Sequence, residues 1–326
     1  RSLLSVGTVT AVTRSDCELT DKAAVTGLVN TTRPDIIVNA AAYTAVDLAE
    51  SESALACSLN RDLPDLLGQL ARARDALVVD YSTDYVFDGS KTVFDYSKAG
   101  RYLESDATAP VNTYGASKLA GLQALQSSAC RHLVFRVSWV YSARRSNFVR
   151  TILRLAAERN ELQVVSDQIG SPTPASLIAD VTANVLSLLA NGIGQEGVYH
   201  LAPKGQTSWH GLAQHIVRSA AAAGMALNLK PEDIKATPTS GYPTPAKRPA
   251  NSLLDTTKLQ RTFKLSLPDW QEPLEHLLQD ISAAAGSDAP STIGANSAPG
   301  STPGTKSTPG IKSTPGTKST PGTSNS

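Results

Sequence analysis

A chain of 326 residues, 41% of them hydrophobic, can bury one large α/β core or two modest ones and is too apolar for wholesale disorder. Its net charge of +1 makes no electrostatic case for nucleic acid or an anionic membrane as the main partner. The three cysteines (Cys17, Cys57, Cys130) are widely spaced with no C-x-x-C, which argues against a disulfide frame or a zinc site and for reduced thiols in the cytoplasm.

The apolar segments 177–190 and 220–227 are too short to span a bilayer, and no charged-then-apolar leader opens the chain. The first residue is Arg1 rather than Met, which reads as a truncated or processed start.

In chain order, residues 8–13 are β-branched and read as a short strand. Residues 35–42, bounded by Pro34, read as a buried strand. Residues 50–74 carry Leu55, Leu59, Leu63, Leu66, Leu67 and Leu70 at largely helical spacing, with Pro64 a kink or a break. A third strand begins at 76–79 and runs into S-T-D-Y; 114–128 is helical and 133–141 a fourth strand.

The second half predicts a helix at 148–159, a strand at 162–165, a helix at 175–190, a strand at 197–201 and a helix at 208–223. A Pro-rich loop follows at 237–252, and 269–284 closes the folded part. From about residue 286 the chain loses large apolar residues and then repeats S-T-P-G-x-K, which reads as a disordered tail.

The alternation implies an α/β fold: a doubly wound, Rossmann-like parallel sheet with right-handed crossovers and helices on both faces. The expected division is a dinucleotide-binding domain over 1–145, a mainly substrate-binding lobe over 146–285 and the tail over 286–326. Ligands in such sheets bind at the carboxyl ends of the strands.

Two segments carry chemistry. Tyr114 and Lys118, in Y-G-A-S-K, lie four apart at a helix start and share a face. A free phenol is a poor proton carrier at neutral pH, and a neighbouring ammonium is expected to lower its pKa. With nine tyrosines, about 0.4 Y-x-x-x-K matches arise by chance, so context must decide. Thr83, in S-T-D-Y-V-F-D-G, follows an apolar strand and could donate to a carbonyl oxygen; Ser82 is the alternative donor. The competing reading of S-T-D is a cap or turn, which Asp84, Asp88 and Gly89 also suit. His132, His200, His210, His215 and His276 show no ligand spacing, so no metal site is proposed.

The order of motifs then matches a known family. These are V-N-A-A-A-Y-T-A-V-D at 38–47, A-E-S-E at 49–52, S-T-D-Y-V-F-D-G at 82–89 and Y-G-A-S-K-L-A-G at 114–121. Downstream come S-W-V-Y at 138–141, D-Q-I-G-S-P-T at 167–173, Y-H-L-A at 199–202 and R-P-A-N-S at 248–252. The chain resembles, over about residues 8–282, the dTDP-4-dehydrorhamnose reductases, extended short-chain dehydrogenases/reductases.

The resemblance implies reduction of dTDP-4-dehydro-L-rhamnose by NADPH or NADH, giving dTDP-L-rhamnose for cell-surface polysaccharide. It makes Tyr114 the proton donor to the C4 oxygen, Lys118 the residue that holds the nicotinamide ribose and tunes Tyr114, and Thr83 a donor to the same oxygen. Asp84, Tyr85, Trp139 and Arg248 fall at substrate positions, and Ala42, Tyr43, Thr44, Asp16 and Cys17 at cofactor positions. Asn60 falls at a structural position beneath the site, and 170–174 belong to the substrate lobe. On composition alone Trp139 reads as core and Arg248 as a solvated loop charge. The resemblance also implies a homodimer and, in some members, Mg2+ at its interface, to which the residues here assign no ligands.

The family's opening strand and G-x-x-G-x-x-G turn, which hold the cofactor pyrophosphate, have no match here; Gly7 stands alone and residues 8–13 align with the family's second strand. Loss of that strand would expose sheet edges and weaken cofactor binding. The loop at 91–98 reads as an insertion, residues 101–104 replace a usual Pro-Tyr-x-Glu, and Leu122 and Ser142 replace a usual glutamate and glycine. Three alternatives remain: a non-catalytic regulatory subunit of the methionine adenosyltransferase type, a related nucleotide-sugar epimerase or reductase, and an inactive truncated reductase.

Overall fold

The computed structural model describes residues 1–92, 100–287 and 311–312. Its main sheet contains β1 (Ile36–Asn39), β2 (Leu77–Thr83), β3 (Arg131–Val137) and a later strand at Gly197–Leu201, hydrogen-bonded in that order and all parallel. Parallel strands need crossover connections, and the intervening helices supply them. After α1 (Lys22–Thr32) and β1 come α2 (Ser53–Cys57) and α3 (Leu63–Arg72); α4 (Thr113–Ser127) joins β2 to β3.

Strand alternation sends Val78 and Val134 to one face, where they meet Ala71 of α3 and Leu122 and Leu125 of α4. Leu77, Val79, Leu133 and Phe135 go to the other face. There they meet Ile178, Val181 and Val185 of a helix at Ala175–Ala190 and Leu259 and Phe263 of one at Thr257–Phe263. Each such aliphatic side chain contributes about 1.5–3 kcal/mol by leaving water. The fold is therefore α/β with helices on both faces, as the alternation predicts.

Beyond β3 the chain continues as β4 (Val140–Tyr141), α5 (Phe148–Glu158), β5 (Leu162–Val165), β6 (Ile169–Gly170), β7 (Thr173–Pro174) and α6 (Ala175–Ala190). Then follow β8 (Gly197–Leu201), β9 (Thr207–Ser208), α7 (Trp209–Ala222), β10 (Ile234–Thr237), α8 (Thr257–Phe263), α9 (Gln271–Ser287) and β11 (Ile311–Lys312). A second core joins α5, β5, α7, β10 and α9 through Ile152, Val164, Ile216, Ile234 and Leu274. The two halves interleave: β8, α6 and α8 come from beyond residue 145 yet complete the main sheet and its covering layer.

Several expectations change. Residues 8–13 form no strand but an exposed segment. Among the described residues β1 is an edge of the sheet, and no strand pairs with that segment. The helix expected over 50–74 breaks into a short 3-10 turn (Leu48–Glu50), α2, a π turn (Ser58–Asp62) and α3. Pro64 is not a kink but lies in the first turn of α3, where its missing N–H costs nothing. The strand expected over 133–141 is interrupted at Trp139, whose φ of 49° lies in the left-handed region.

The sequence reading left α1, β10 and α8 unassigned. The insertion at 91–98 lies mostly outside the described residues, as does the tail. Two tail residues, Ile311 and Lys312, are described, and they pair antiparallel with Val164 and Gln163 of β5.

Candidate active site

β2 delivers Thr83 to its carboxyl end, where the strand passes into a 3-10 turn (Asp84–Val86). The cap reading of S-T-D is observed. The Thr83 hydroxyl caps this turn by accepting from the Tyr85 N–H at 3.2 Å, and it donates to Asp84 Oδ1 at 3.1 Å. Thr83, Asp84 and Tyr85 are all buried. Ser82 Oγ and Asp84 Oδ2 are buried there without a hydrogen-bond partner, and buried polar atoms left bare beside a site are natural points of attachment for a ligand.

α4 brings Tyr114 and Lys118 to the same place. Its N-cap is Asn112, whose Oδ1 accepts from the Gly115 N–H at 2.7 Å and whose amide donates to the Lys247 carbonyl at 2.8 Å. Glu50 accepts from the Thr113 N–H and hydroxyl, each at 2.9 Å. This start is pinned because its first-turn donors have no helical partners of their own. The Tyr114 ring stands edge-on to Tyr85, centroids 5.8 Å apart, and packs against the cluster of Tyr43, Ala49 and Ala56.

The A-A-A-Y-T loop after β1 is locked from below. Asn60, fully buried in the π turn, accepts from the Tyr43 N–H at 2.9 Å and donates to the Tyr43 carbonyl at 3.0 Å and to Ser117 Oγ at 3.0 Å. Ser117 in turn donates to the Tyr114 carbonyl at 2.8 Å. One amide thus couples the loop to the helix that carries the tyrosine and lysine. Such π turns recur at functional sites.

Electrostatics reverse one expectation. The Tyr114 phenol is not lowered but pushed up to about 12, first by burial, then by the Asp84 and Asp80 carboxylates, with the Thr83 hydroxyl pulling the other way. The Lys118 ammonium is instead turned to Asp80 Oδ2, 3.8 Å away, with both side chains buried. Burial also pushes the Tyr43 phenol to about 12, helped by its 2.6 Å bond to Glu52.

Asp84 is raised to about 7, again chiefly by burial. Its folded pKa exceeds the ordinary 3.8, so its contribution to stability is fully present below about pH 4 and is lost as pH rises through 7. Asp84→Asn is therefore expected to flatten the fall in thermal midpoint between about pH 4 and 8. An unchanged slope in melting curves across that range would contradict the burial of this carboxylate.

The other expected residues fall as follows. Arg248 is not a solvated loop charge: it is buried, pairs with Asp47 at 2.8 Å and donates to the Ala246 carbonyl at 2.8 Å, while its Nε has no partner. Tyr85 feels the Arg248, Asp84 and Asp47 charges, so Arg248 belongs to the same polar group. Trp139 stacks on Trp209 of α7 at 3.6 Å and 8°, against the core of the lobe. Gly170 allows this, since a Cβ there would meet the Trp139 ring at 2.4 Å.

Ala42 is half-buried, Tyr43 buried and Thr44 exposed. Asp16 accepts from the Thr13 N–H and hydroxyl at 2.7 and 2.6 Å, closing its own turn. Cys17 points into the cluster of Val25, Val29, Leu63 and Leu67, which also contacts Ala41.

Sequence reasoning passed over Asp47 as an ion-pair partner, Asn112 as a cap, and Asp80 with Asn39 altogether. Asp80 carried a usable signal: an acid inside V-V-D-Y, a strand otherwise apolar, requires a buried partner. His200, fully buried, is pushed down to about 3 by burial and by the Arg136 charge, so it stands as a neutral structural imidazole. Among the described residues, no group of three or more His, Cys, Asp or Glu side chains could hold a metal ion.

Known proteins resemble this chain along most of its length. The family model for the RmlD substrate binding domain matches residues 1–283. A dTDP-4-dehydrorhamnose reductase of Shigella flexneri is 48% identical over 249 residues, 76% of this chain and 80% of that protein. One from Salmonella typhimurium is 44% identical over 285 residues, 86% of this chain and 92% of the relative. The crystal structure of the Bacillus anthracis dTDP-4-dehydrorhamnose reductase in complex with NADP superposes with a TM-score of 0.73 at 32% identity, covering 82% of this chain and 89% of that one. With a matched family model along nearly all its folded length and relatives of this identity, the chain belongs to the dTDP-4-dehydrorhamnose reductase family.

Proposed function

We propose that the chain reduces the C4 carbonyl of dTDP-4-dehydro-L-rhamnose to give dTDP-L-rhamnose, using NADPH or NADH, in the cytoplasm and as a homodimer. The observation that carries the reading is the convergence of Thr83, Tyr114 and Lys118 at the carboxyl end of β2, beside bare buried polar atoms.

The residues present fit the nicotinamide end of a dinucleotide. Lys118 supplies an ammonium, and the small side chains of Ala41 and Ala42 leave the loop backbone open to close approach. When bound, a reduced nicotinamide supplies the hydride. Tyr114, protonated throughout the physiological range, gives its proton to the C4 oxygen as negative charge develops there. The Thr83 hydroxyl donates to that oxygen in the same step, and the Lys118 ammonium stabilises the phenolate left behind. Asp84, Tyr85 and Arg248 line the sugar side, and Trp139 offers an aromatic wall from the lobe.

The test is consumption of NADPH and NADH with 4-keto sugars carried on dTDP, UDP and GDP. Turnover is expected with the dTDP sugar and to be at least about tenfold weaker with the others, the discrimination of roughly one good polar contact. Equal turnover across the three nucleotides, or none with the dTDP sugar, would sink the substrate assignment.

A further inference from the structure

α4 runs antiparallel to β2, and the two are nearly in step: four helix residues rise about 6 Å and two strand residues about 6.6 Å. Leu122 and Val78 meet in the apolar cluster on this face of the sheet. One helix turn back and two strand residues on, the same matching brings Lys118 onto Asp80. A further turn brings Tyr114 to the strand end at Thr83. A charge thus occupies a position that apolar packing alone would fill.

Asp80 is 3% exposed, and both its oxygens are engaged. Oδ1 accepts from the Asn39 amide of β1 at 2.7 Å, and Oδ2 faces the Lys118 ammonium at 3.8 Å. Asn39 stands directly across from Asp80 in the β1–β2 register. On the β3 side its neighbour is the apolar Val134. The charged and titratable groups around it are Lys118 and Tyr114 of α4, Tyr81 on the opposite face of β2, and Asp84 in the turn beyond.

We propose that Asp80 is a positioning residue for the proton transfer: oriented by Asn39, it holds the Lys118 ammonium against β2 and sets how much of that positive charge reaches the Tyr114 phenol. The proposal rests on Tyr114 being the proton donor. A lysine beside a catalytic tyrosine favours the phenolate, which would leave a reductase short of its acid at higher pH. A carboxylate on the far side of the ammonium offsets this and adds to burial and the Asp84 charge in favouring the protonated phenol; burial raises the pKa of Asp80 itself, and the Lys118 ammonium and Asn39 amide pull it down. The price is a buried ion pair, tolerable because Asn39 satisfies the second carboxylate oxygen.

The test uses the full chain labelled with 13Cζ-tyrosine, the Tyr114 resonance being assigned by its loss in Tyr114→Phe. In wild type that resonance is expected to stay unmoved to about pH 10.5, whereas in Asp80→Asn it titrates at least about one unit lower. The alkaline limb of kcat/KM for sugar reduction should move down by the same interval. Asp80→Glu, which keeps the charge, should titrate as wild type. Asp80→Ser removes the same charge with a smaller side chain and replaces Asp80→Asn if that variant does not fold.

A Tyr114 titration unchanged in the neutral variants, even with lower turnover, would overturn the proposal, because a merely structural Asp80 moves stability and rate but not the phenol. The titration reads Asp80 without any turnover. Failure of the assigned activity would appear separately, as Tyr114→Phe reducing the sugar nucleotide like wild type.

Discussion

Replacement of Tyr114 by Phe is expected to lower turnover of the sugar nucleotide by about a hundredfold to ten-thousandfold, the range supplied by a positioned general acid. The fold should survive. The ring makes its edge-on contact with Tyr85 and packs beside Tyr43, Ala49 and Ala56 through carbon atoms that phenylalanine retains. Removing a hydroxyl whose pKa is pushed up to about 12 deletes no charge at neutral pH, so no buried partner is left uncompensated. The checks are steady-state oxidation of NADPH and the thermal midpoint of the same preparation. A variant that folds and still turns over within a few-fold of wild type would remove Tyr114 from the chemistry.

Gly121→Ala carries the second large effect, and its sign runs against helix propensity. In an exposed helix interior, alanine is better than glycine by about 1 kcal/mol. At Gly121 a Cβ would lie 1.9 Å from the carbonyl oxygen of Asn60 and 3.1 Å from its carbonyl carbon. Both atoms are backbone, so no rotamer change relieves the contact, and α4 must back away from the π turn. Overpacking of this kind costs about 1–3 kcal/mol or more, enough to outweigh the propensity gain.

The same displacement would pull Asn60 from Ser117 and loosen the hold on the Tyr43 loop, so activity should fall along with stability. Urea unfolding provides the measure. Gly27→Ala on α1 is the control: nothing lies within 4 Å of its Cβ position, and it should stabilise by a few tenths to about 1 kcal/mol. A rise in the unfolding midpoint of Gly121→Ala comparable to that of Gly27→Ala would show that the close crossing of α4 and the π turn is wrong.

Much of the site was legible because its chemistry is local. Y-G-A-S-K puts a phenol and an ammonium on one helical face whatever the helix packs against. S-T-D-Y ends an apolar strand, so its polar groups fall where the sheet stops. The strands over 162–165 and 197–201 and the helix over 175–190 follow from periodicity and return at the same residues in the structure.

What periodicity could not supply is a partner. Residues 8–13 have the composition of a strand, but a strand exists only when another pairs with it, and among the described residues none does. The leucines over 55–70 have helical spacing, but the chain must bend there to place Asn60 beneath Tyr43, and a π turn interrupts the helix.

The sequence by itself determined the layered α/β class, much of the element order beyond residue 35 and the local grouping of the candidate reacting residues, because these depend on side-chain period and on functional groups a few residues apart. The tertiary structure alone decided the charge balance around those groups. Lys118 faces Asp80, 38 residues away, and Arg248 faces Asp47, 201 residues away. Such pairings depend on which strands adjoin and which helix turn crosses them. In a low-dielectric interior, burial and the nearby Asp84 and Asp80 carboxylates favour the protonated Tyr114 phenol.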